Sequence, residues 1–262
     1  MSDKPARHPI TLKRIIRNFE AMERIEVTRD VTYHGDLKLD VYHPRRDELP
    51  PAVVITAGYA DVGVPMTLGC NFREMEFVVS LAQLLAASGM AAIAYSTSSP
   101  GPDAGRVADF IARSGAELRL DPGRLGIWAS SGNVPVALGF LMEKRPAVRA
   151  AVLSNGYTFD AGGVTAVADA AATYRFVNAT AGRSVRELPA ELPMFVVRCG
   201  HDDPGLNQAL DRFVGDAVGE NLAITFMNHA TAPHAFEINV DTPVSHHILD
   251  AMLSFMRFHL AA

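Results

Sequence analysis

Three short stretches hold the residue types that turn a hydroxyl into a nucleophile. Arg124 to Leu138 reads RLGIWASSGNVPVAL, an apolar run that enters the pair Ser130-Ser131 and leaves it in a helical pattern. Leu192 to Pro204 reads LPMFVVRCGHDDP, and Asn228 to Phe236 reads NHATAPHAF. A serine hydroxyl is a weak nucleophile at neutral pH until an imidazole takes its proton, and a carboxylate fixes the tautomer of that imidazole. Taken alone, an Asp-Asp-Pro segment is a surface turn and a loop histidine is a surface residue. Arriving in the order Ser, Asp, His, each after a strand-like run, they point to nucleophilic catalysis.

Local sterics choose between the two serines. A nucleophile on a tight strand-to-helix turn needs small residues two before and two after it. Around Ser131 these are Ala129 and Asn133; around Ser130 they are Trp128 and Gly132. An indole at that position crowds the following helix, so Ser131 is preferred. Pro135 falls in the first helical turn, where its missing N–H costs nothing. The helix N-terminus offers backbone N–H groups and a favourable dipole to a developing oxyanion.

The elements that must position these groups alternate along the chain. Leu37 to Tyr42 has the apolar/polar alternation of a half-buried strand. Ala52 to Thr56 is a short β-branched run of the kind buried on both faces. A helix is expected over 77–87, ending at Gly89, and a strand over 90–95, followed by the loop STSSPGPDAG. Then come a helix near 106–114, a turn at Asp121-Pro122-Gly123, a strand over 125–129 and a helix over 134–144. Strands over 150–154, 195–198 and 222–227 and a helix over 244–259 complete the pattern. Such alternation requires crossover connections, hence an α/β class with a mostly parallel sheet covered by helices on both faces. Residues 1–262 read as a single domain, with 1–34 as a helical extension plus first strand. Gly156 to Leu192 breaks the alternation and reads as a small cap, whose Tyr157, Phe159, Tyr174 and Phe176 suit an acyl pocket or ordinary packing.

Bulk properties exclude several classes. Of 262 residues 48% are hydrophobic and 20% charged, enough for one sizeable core. The net charge is -5, and the densest basic stretch, Lys13 to Arg17, reads as the solvated face of an amphipathic helix, so nucleic acid is not an expected partner. The longest apolar runs are far short of the ~20 residues of a membrane helix, and the N-terminal residues lack the apolar core of a signal. Cys70 and Cys199 match no disulfide framework or metal spacing; a cytoplasmic location is expected, and association with a second copy stays open.

The segment around Ser131 resembles the α/β-hydrolase family, particularly its dienelactone-hydrolase-like branch. Arg124 to Trp128, Ser131 and Ala137 fall in the family's register, with Ala129 and Asn133 replacing the two flanking glycines. The likeness runs over roughly residues 35 to 262. It implies an α/β-hydrolase fold with a short cap segment and an oxyanion hole from the backbone N–H groups of Gly132 and Tyr59, with Ala60 as the fallback. Ala57-Gly58-Tyr59 stands where the family has His-Gly-x, without the histidine. The family's acid lies three residues past the glycine after the penultimate strand, which selects Asp203, with Asp202 as its neighbour and alternative. Its histidine sits in a His-x-Phe setting, which selects His234 over His229.

The implied activity is hydrolysis of a small-molecule carboxylic ester or lactone through an acyl-enzyme, with no cofactor or metal. A thioesterase or acyltransferase on the same triad, and a catalytically silent binding protein on the same scaffold, are the competing readings. His246-His247 point in different directions on one helix and make no metal site. Cys70 has no strand-turn-helix around it, Cys199 reads as a packed thiol, and the glycines of GYADVG and GPDAGR lack a phosphate-binding spacing. Asp61 reads as a loop cap.

Overall fold

β-Branched and alanine-rich runs that bury both faces build the centre of the structure. The computed structural model describes residues 6–61, 68–160 and 162–261; Val62 and Gly63 of the GYADVG loop lie outside these, as do the first five residues of the N-terminal extension and Ala161 of the cap. Among the described residues, β1 (Glu26–His34), β2 (Leu37–His43), β3 (Pro51–Ile55), β4 (Ala91–Tyr95), β5 (Asp121–Ser130), β6 (Val148–Ser154), β7 (Met194–Cys199) and β8 (Ile224–His229) form one sheet. Its order is β1-β2-β4-β3-β5-β6-β7-β8. β2 runs antiparallel to both neighbours, and the pairs from β4/β3 to β7/β8 are parallel.

The helices are α1 (Glu76–Ala87), α2 (Pro100–Ser114), α3 (Val134–Leu141), α4 (Ala166–Tyr174), α5 (Pro204–Gly219), α6 (Phe236–Asn239) and α7 (Pro243–Ala261). They pack on the two faces of the sheet and bury nearly all of β3 and β4, which explains why those strands are continuously apolar. The parallel strands direct their C-terminal ends to one rim. The turns after β3, β5, β7 and β8 gather there, as ligand-binding loops do in open α/β sheets.

Three boundaries differ from the sequence reading for identifiable reasons. α2 begins at Pro100, six residues early, because Pro100 and Pro102 suit a first turn and Asp103 accepts from the Ser98 and Ser99 N–H groups and the Thr97 hydroxyl. The Asp121-Pro122-Gly123 turn is absorbed as an irregularity at the start of β5, with the Asp121 carboxylate accepting from Gly123 N–H. No helix covers Lys13 to Arg17; the extension carries two 3-10 turns, Pro9–Leu12 and Glu20–Arg24, before β1. Two of its cations meet the C-terminal part of the fold, Arg17 pairing with Asp250 and Lys13 donating to the Asn239 side chain, while Arg14 pairs with Glu76 of α1; Ile16 N–H donates to the Glu237 carbonyl.

Candidate active site

β5 passes directly into a reversal at Ser130-Ser131. Ser130 keeps an extended backbone, φ -135°, whereas Ser131 has φ 57°. A left-handed conformation on a residue with a Cβ costs about 1 kcal/mol or more. It lifts the Ser131 side chain off the strand end and starts a 3-10 turn, Ser131–Asn133, that runs into α3. Ser130, the competing serine, stays in register opposite Ser154 within the sheet.

Asn133 has a use that a glycine lacks. Its Nδ2 donates to the Ser130 carbonyl at 2.9 Å, and its Oδ1 accepts from Gly58 N–H at 2.7 Å. One buried amide thus locks the reversal and ties it to the loop after β3. That loop is held from other sides as well: Ala57 N–H donates to the Tyr95 hydroxyl, and the Gly58 carbonyl accepts from Val177 N–H at 2.8 Å. Loop and turn approach so closely that a Cβ on Gly58 would overlap the Gly132 carbonyl oxygen.

His234 lies after β8, and its Nε2 stands 2.8 Å from Ser131 Oγ. Its Nδ1 stands 2.8 and 3.0 Å from the two carboxylate oxygens of Asp202. The carboxylate is nearly buried, at 2% exposure, while the imidazole remains 39% exposed. Asp202 also accepts from Asp203 N–H at 2.7 Å. With Nδ1–H directed at Asp202, Nε2 is left as the proton acceptor for Ser131. This is a Ser–His–Asp relay of the serine-hydrolase type.

The acid is therefore Asp202, and the assignment of Asp203 is corrected. Asp203 is the N-cap of α5, its Oδ1 accepting from Gly205 and Leu206 N–H at 2.9 and 3.0 Å. An aspartate immediately before a proline at the first helical position is a cap signature, and capping turns its oxygens away from the histidine. Counting residues from Gly200 overlooked that signal.

Burial of the imidazole disfavours its charged form, but the hydrogen bond and charge of Asp202, with smaller contributions from Glu237 and Asp203, outweigh it. The pKa of His234 stands above its ordinary 6.5. His229, the rival histidine, is buried and bonded through Nε2 to the Ser245 hydroxyl at 3.0 Å, its pKa lowered by burial.

Over the reversal sit aromatic rings from the loop and from segment 156–192. Phe176 stacks on Tyr157 with centroids 4.9 Å apart and meets Tyr59 edge-on at 6.2 Å. A Cβ on Gly132 would overlap the Tyr59 hydroxyl and lie 2.8 Å from Phe176 Cδ1. Burial, with Tyr174 nearby, pushes the Tyr59 phenol up to about 12, so it keeps its proton.

Several other residues take structural places. Asp61 caps two loops, accepting from Phe72 and Thr97 N–H at 3.0 and 2.7 Å. Cys70 and Cys199 are buried free thiols, and burial raises the pKa of each. His246 faces Asp241 and Arg17 at the surface. Among the described residues no group of three His, Cys, Asp or Glu side chains is placed to hold a metal ion, and no helix is long and apolar enough to cross a membrane. Sequence reasoning missed Ser154, Asn155 and Glu237, which lie behind the histidine. The one available signal was a carboxylate inside the apolar run Ala235-Phe236-Glu237-Ile238.

No protein-family model and no curated protein sequence matches the chain. Solved structures do match its fold. DphMB1 superposes with a TM-score of 0.70 at 16% identity, covering 93% of this chain and 88% of its own. A thermostable esterase from Pseudomonas putida gives 0.67 at 17%, covering 91% and 84%. An α/β-hydrolase enzyme from a Medee basin deep-sea metagenome library gives 0.64 at 16%, covering 91% and 99%.

The split between the two aspartates is directly testable. Asp202→Asn should slow phosphonate labelling of Ser131 by about 10³- to 10⁴-fold, because the wrong imidazole tautomer is then held. Asp203→Ala should leave labelling within a few-fold and cost about 1 kcal/mol of stability as a lost cap. Labelling rates read beside urea melts decide it; the reverse pattern would restore Asp203 as the acid.

Proposed function

The chain has the α/β-hydrolase fold, and we propose that it is a carboxylic-ester hydrolase of the dienelactone-hydrolase-like kind, cleaving a small acyl ester or lactone. The observation that carries this reading is the unbroken relay from Ser131 through His234 to Asp202, with 2.8 Å separations on both sides of the imidazole. The esterase from Pseudomonas putida, similar in fold, lends it analogy.

In the proposed reaction Ser131 Oγ attacks the ester carbonyl carbon and passes its proton to His234 Nε2. The tetrahedral oxyanion is received by the backbone N–H groups of Gly132 and Tyr59. Gly58 N–H is already committed to Asn133, which favours Tyr59 as the loop's donor, and each such donor is worth roughly 3 kcal/mol in the transition state. The imidazolium returns its proton to the leaving alkoxide as the carbon–oxygen bond breaks. Water, deprotonated by His234, then attacks the acyl-enzyme, and the carboxylic acid departs with Ser131 regenerated.

Segment 156–192 serves as a short cap in this reading, its Phe176 and Tyr157 walling the acyl side with Tyr59. Rings so close to Gly132 favour short acyl groups. The two free thiols suit a reducing compartment, and we place the protein in the cytoplasm.

Nitrophenyl esters of increasing acyl length test the assignment. Ser131→Ala should abolish turnover and labelling alike; turnover that survived would shift the nucleophile elsewhere, and transfer to an added alcohol exceeding hydrolysis would make the protein an acyltransferase. Because His234 must be neutral to accept a proton and its pKa is raised, kcat/KM should fall on the acid side with a midpoint above 6.5. A midpoint below that value would contradict the Asp202 interaction. Phe176→Ala should raise the hexanoate-to-acetate ratio of kcat/KM by about 10-fold or more, in line with the value of a few methylenes in an apolar pocket.

A further inference from the structure

Behind the imidazole lies a carboxyl group that the relay does not use. Glu237 is 1% exposed and three residues beyond His234. Its Oε1 accepts from the Ser154 hydroxyl at 2.5 Å and from Asn155 Nδ2 at 2.8 Å, and its Oε2 accepts from the same Nδ2 at 3.0 Å. Asn155 turns its other face to the histidine loop, Oδ1 accepting from Ala235 N–H at 3.3 Å. The loop is also gripped from outside, where Asn239 Nδ2 donates to the His234 carbonyl and Ile16 N–H donates to the Glu237 carbonyl.

This ring of contacts surrounds two unusual backbone conformations. Asn155 has φ 37° and Ala235, adjacent to His234, has φ 55°. Alanine has no side-chain polar group to stabilise the left-handed region, so tertiary contacts must hold it there. Burying a carboxyl is also unfavourable unless donors surround it, and burial pushes the pKa of Glu237 up against the donation from Ser154 and Asn155. A buried acid and a left-handed alanine beside the catalytic histidine are hard to explain as packing alone.

We propose that Glu237 is a positioning residue: with Asn155 and Ser154 it moors the His234 loop to the C-terminal end of β6 and keeps the imidazole within reach of Ser131. The mooring joins two strand ends of one rigid sheet, β6 through Ser154-Asn155 and β8 through the histidine loop. The inference rests on the esterase reading only for its kinetic consequence; the tether itself is a statement about where His234 sits.

The test uses the full chain with Glu237→Ala and Glu237→Gln. Glu237→Ala should lower kcat for a nitrophenyl acetate about 100-fold, the scale of a misplacement near 1 Å, with KM changed less than about three-fold. Glu237→Gln keeps an acceptor for Ser154 and Asn155 and should recover most of that loss. NMR of the His234 ring provides a readout independent of turnover: the hydrogen-bonded Nδ1 proton should persist in the wild type and Glu237→Gln and vanish in Glu237→Ala. If Glu237→Ala fails to fold by circular dichroism, Asn155→Ala takes its place with the same expected losses. Unchanged kcat and an unchanged Nδ1 signal in the alanine variant, or a glutamine variant as impaired as alanine, would overturn the tether. Wild type that takes no phosphonate label yet shows the Nδ1 signal respond to Glu237→Ala would refute the esterase and leave the tether standing.

Discussion

The nucleophile side of the rim follows from the reversal at Ser131. A strand buried on both faces turns into a helix within one residue, and Ser131 takes a left-handed backbone to do so. The same conformation raises the hydroxyl above the sheet and places the start of α3 beneath it. Such a turn needs neighbours that either vanish or brace it. Gly132 vanishes, leaving room for the Tyr59 hydroxyl and the Phe176 ring. Asn133 braces, spending its amide on the Ser130 carbonyl and on Gly58 N–H. The first contact stabilises the turn, and the second fixes how far the loop after β3 stands from the nucleophile. Local backbone chemistry and the spacing between loop and nucleophile are thereby one constraint.

The histidine side obeys a different logic, because the six-residue loop between β8 and α6 has no helix or strand of its own to fix it. Its position comes from partners that converge on it: Asp202 on the imidazole, Asn155 and Asn239 on the N–H and C=O of the His234–Ala235 peptide, Glu237 in the floor. Charge adds to geometry here. Imidazolium formation beside a 2%-exposed carboxylate is favoured strongly enough to overcome the burial of the ring. That matches what a general base must do, which is to hold a proton transiently and release it near neutral pH. Adjacent aspartates divide the labour, Asp202 serving the ring and Asp203 serving the helix.

How far the sequence carried this picture depends on the range of the contacts involved. Strands and helices were legible because burial imprints a period on consecutive residues, and the parallel sheet followed from their alternation. Ser131 was legible from sterics alone, since an indole cannot occupy the small-residue position. Asp202 was open to reading through the Asp-Pro cap signature, but counting from Gly200 obscured it. Asn133 looked like a defect in a glycine pattern, because its two partners are a carbonyl three residues back and an amide 75 positions away. Glu237 and Asn155 belong to the same class. Contacts across 82 positions leave no period behind, and the only local trace is a charge where an apolar residue belongs.

The cost of this arrangement bears on whether the site is used. A silent binding protein on this scaffold has no need for a left-handed serine, a left-handed alanine beside a histidine, or two carboxyl groups taken out of water within one cluster. Each is unfavourable alone by about 1 kcal/mol or more, and none contributes to the apolar core that folds the domain. Together they place a hydroxyl, an imidazole and a carboxylate in hydrogen-bonded sequence, with Nε2 aimed at Oγ rather than at the bulk. Three left-handed residues with a Cβ, Ser131, Asn155 and Ala235, meet where the reactive groups meet. Asp30 in the edge strand β1 is also left-handed, but β3, β5, β6, β7 and β8, which carry the site's loops, contain no such residue, so at the rim the departures begin where the strands end.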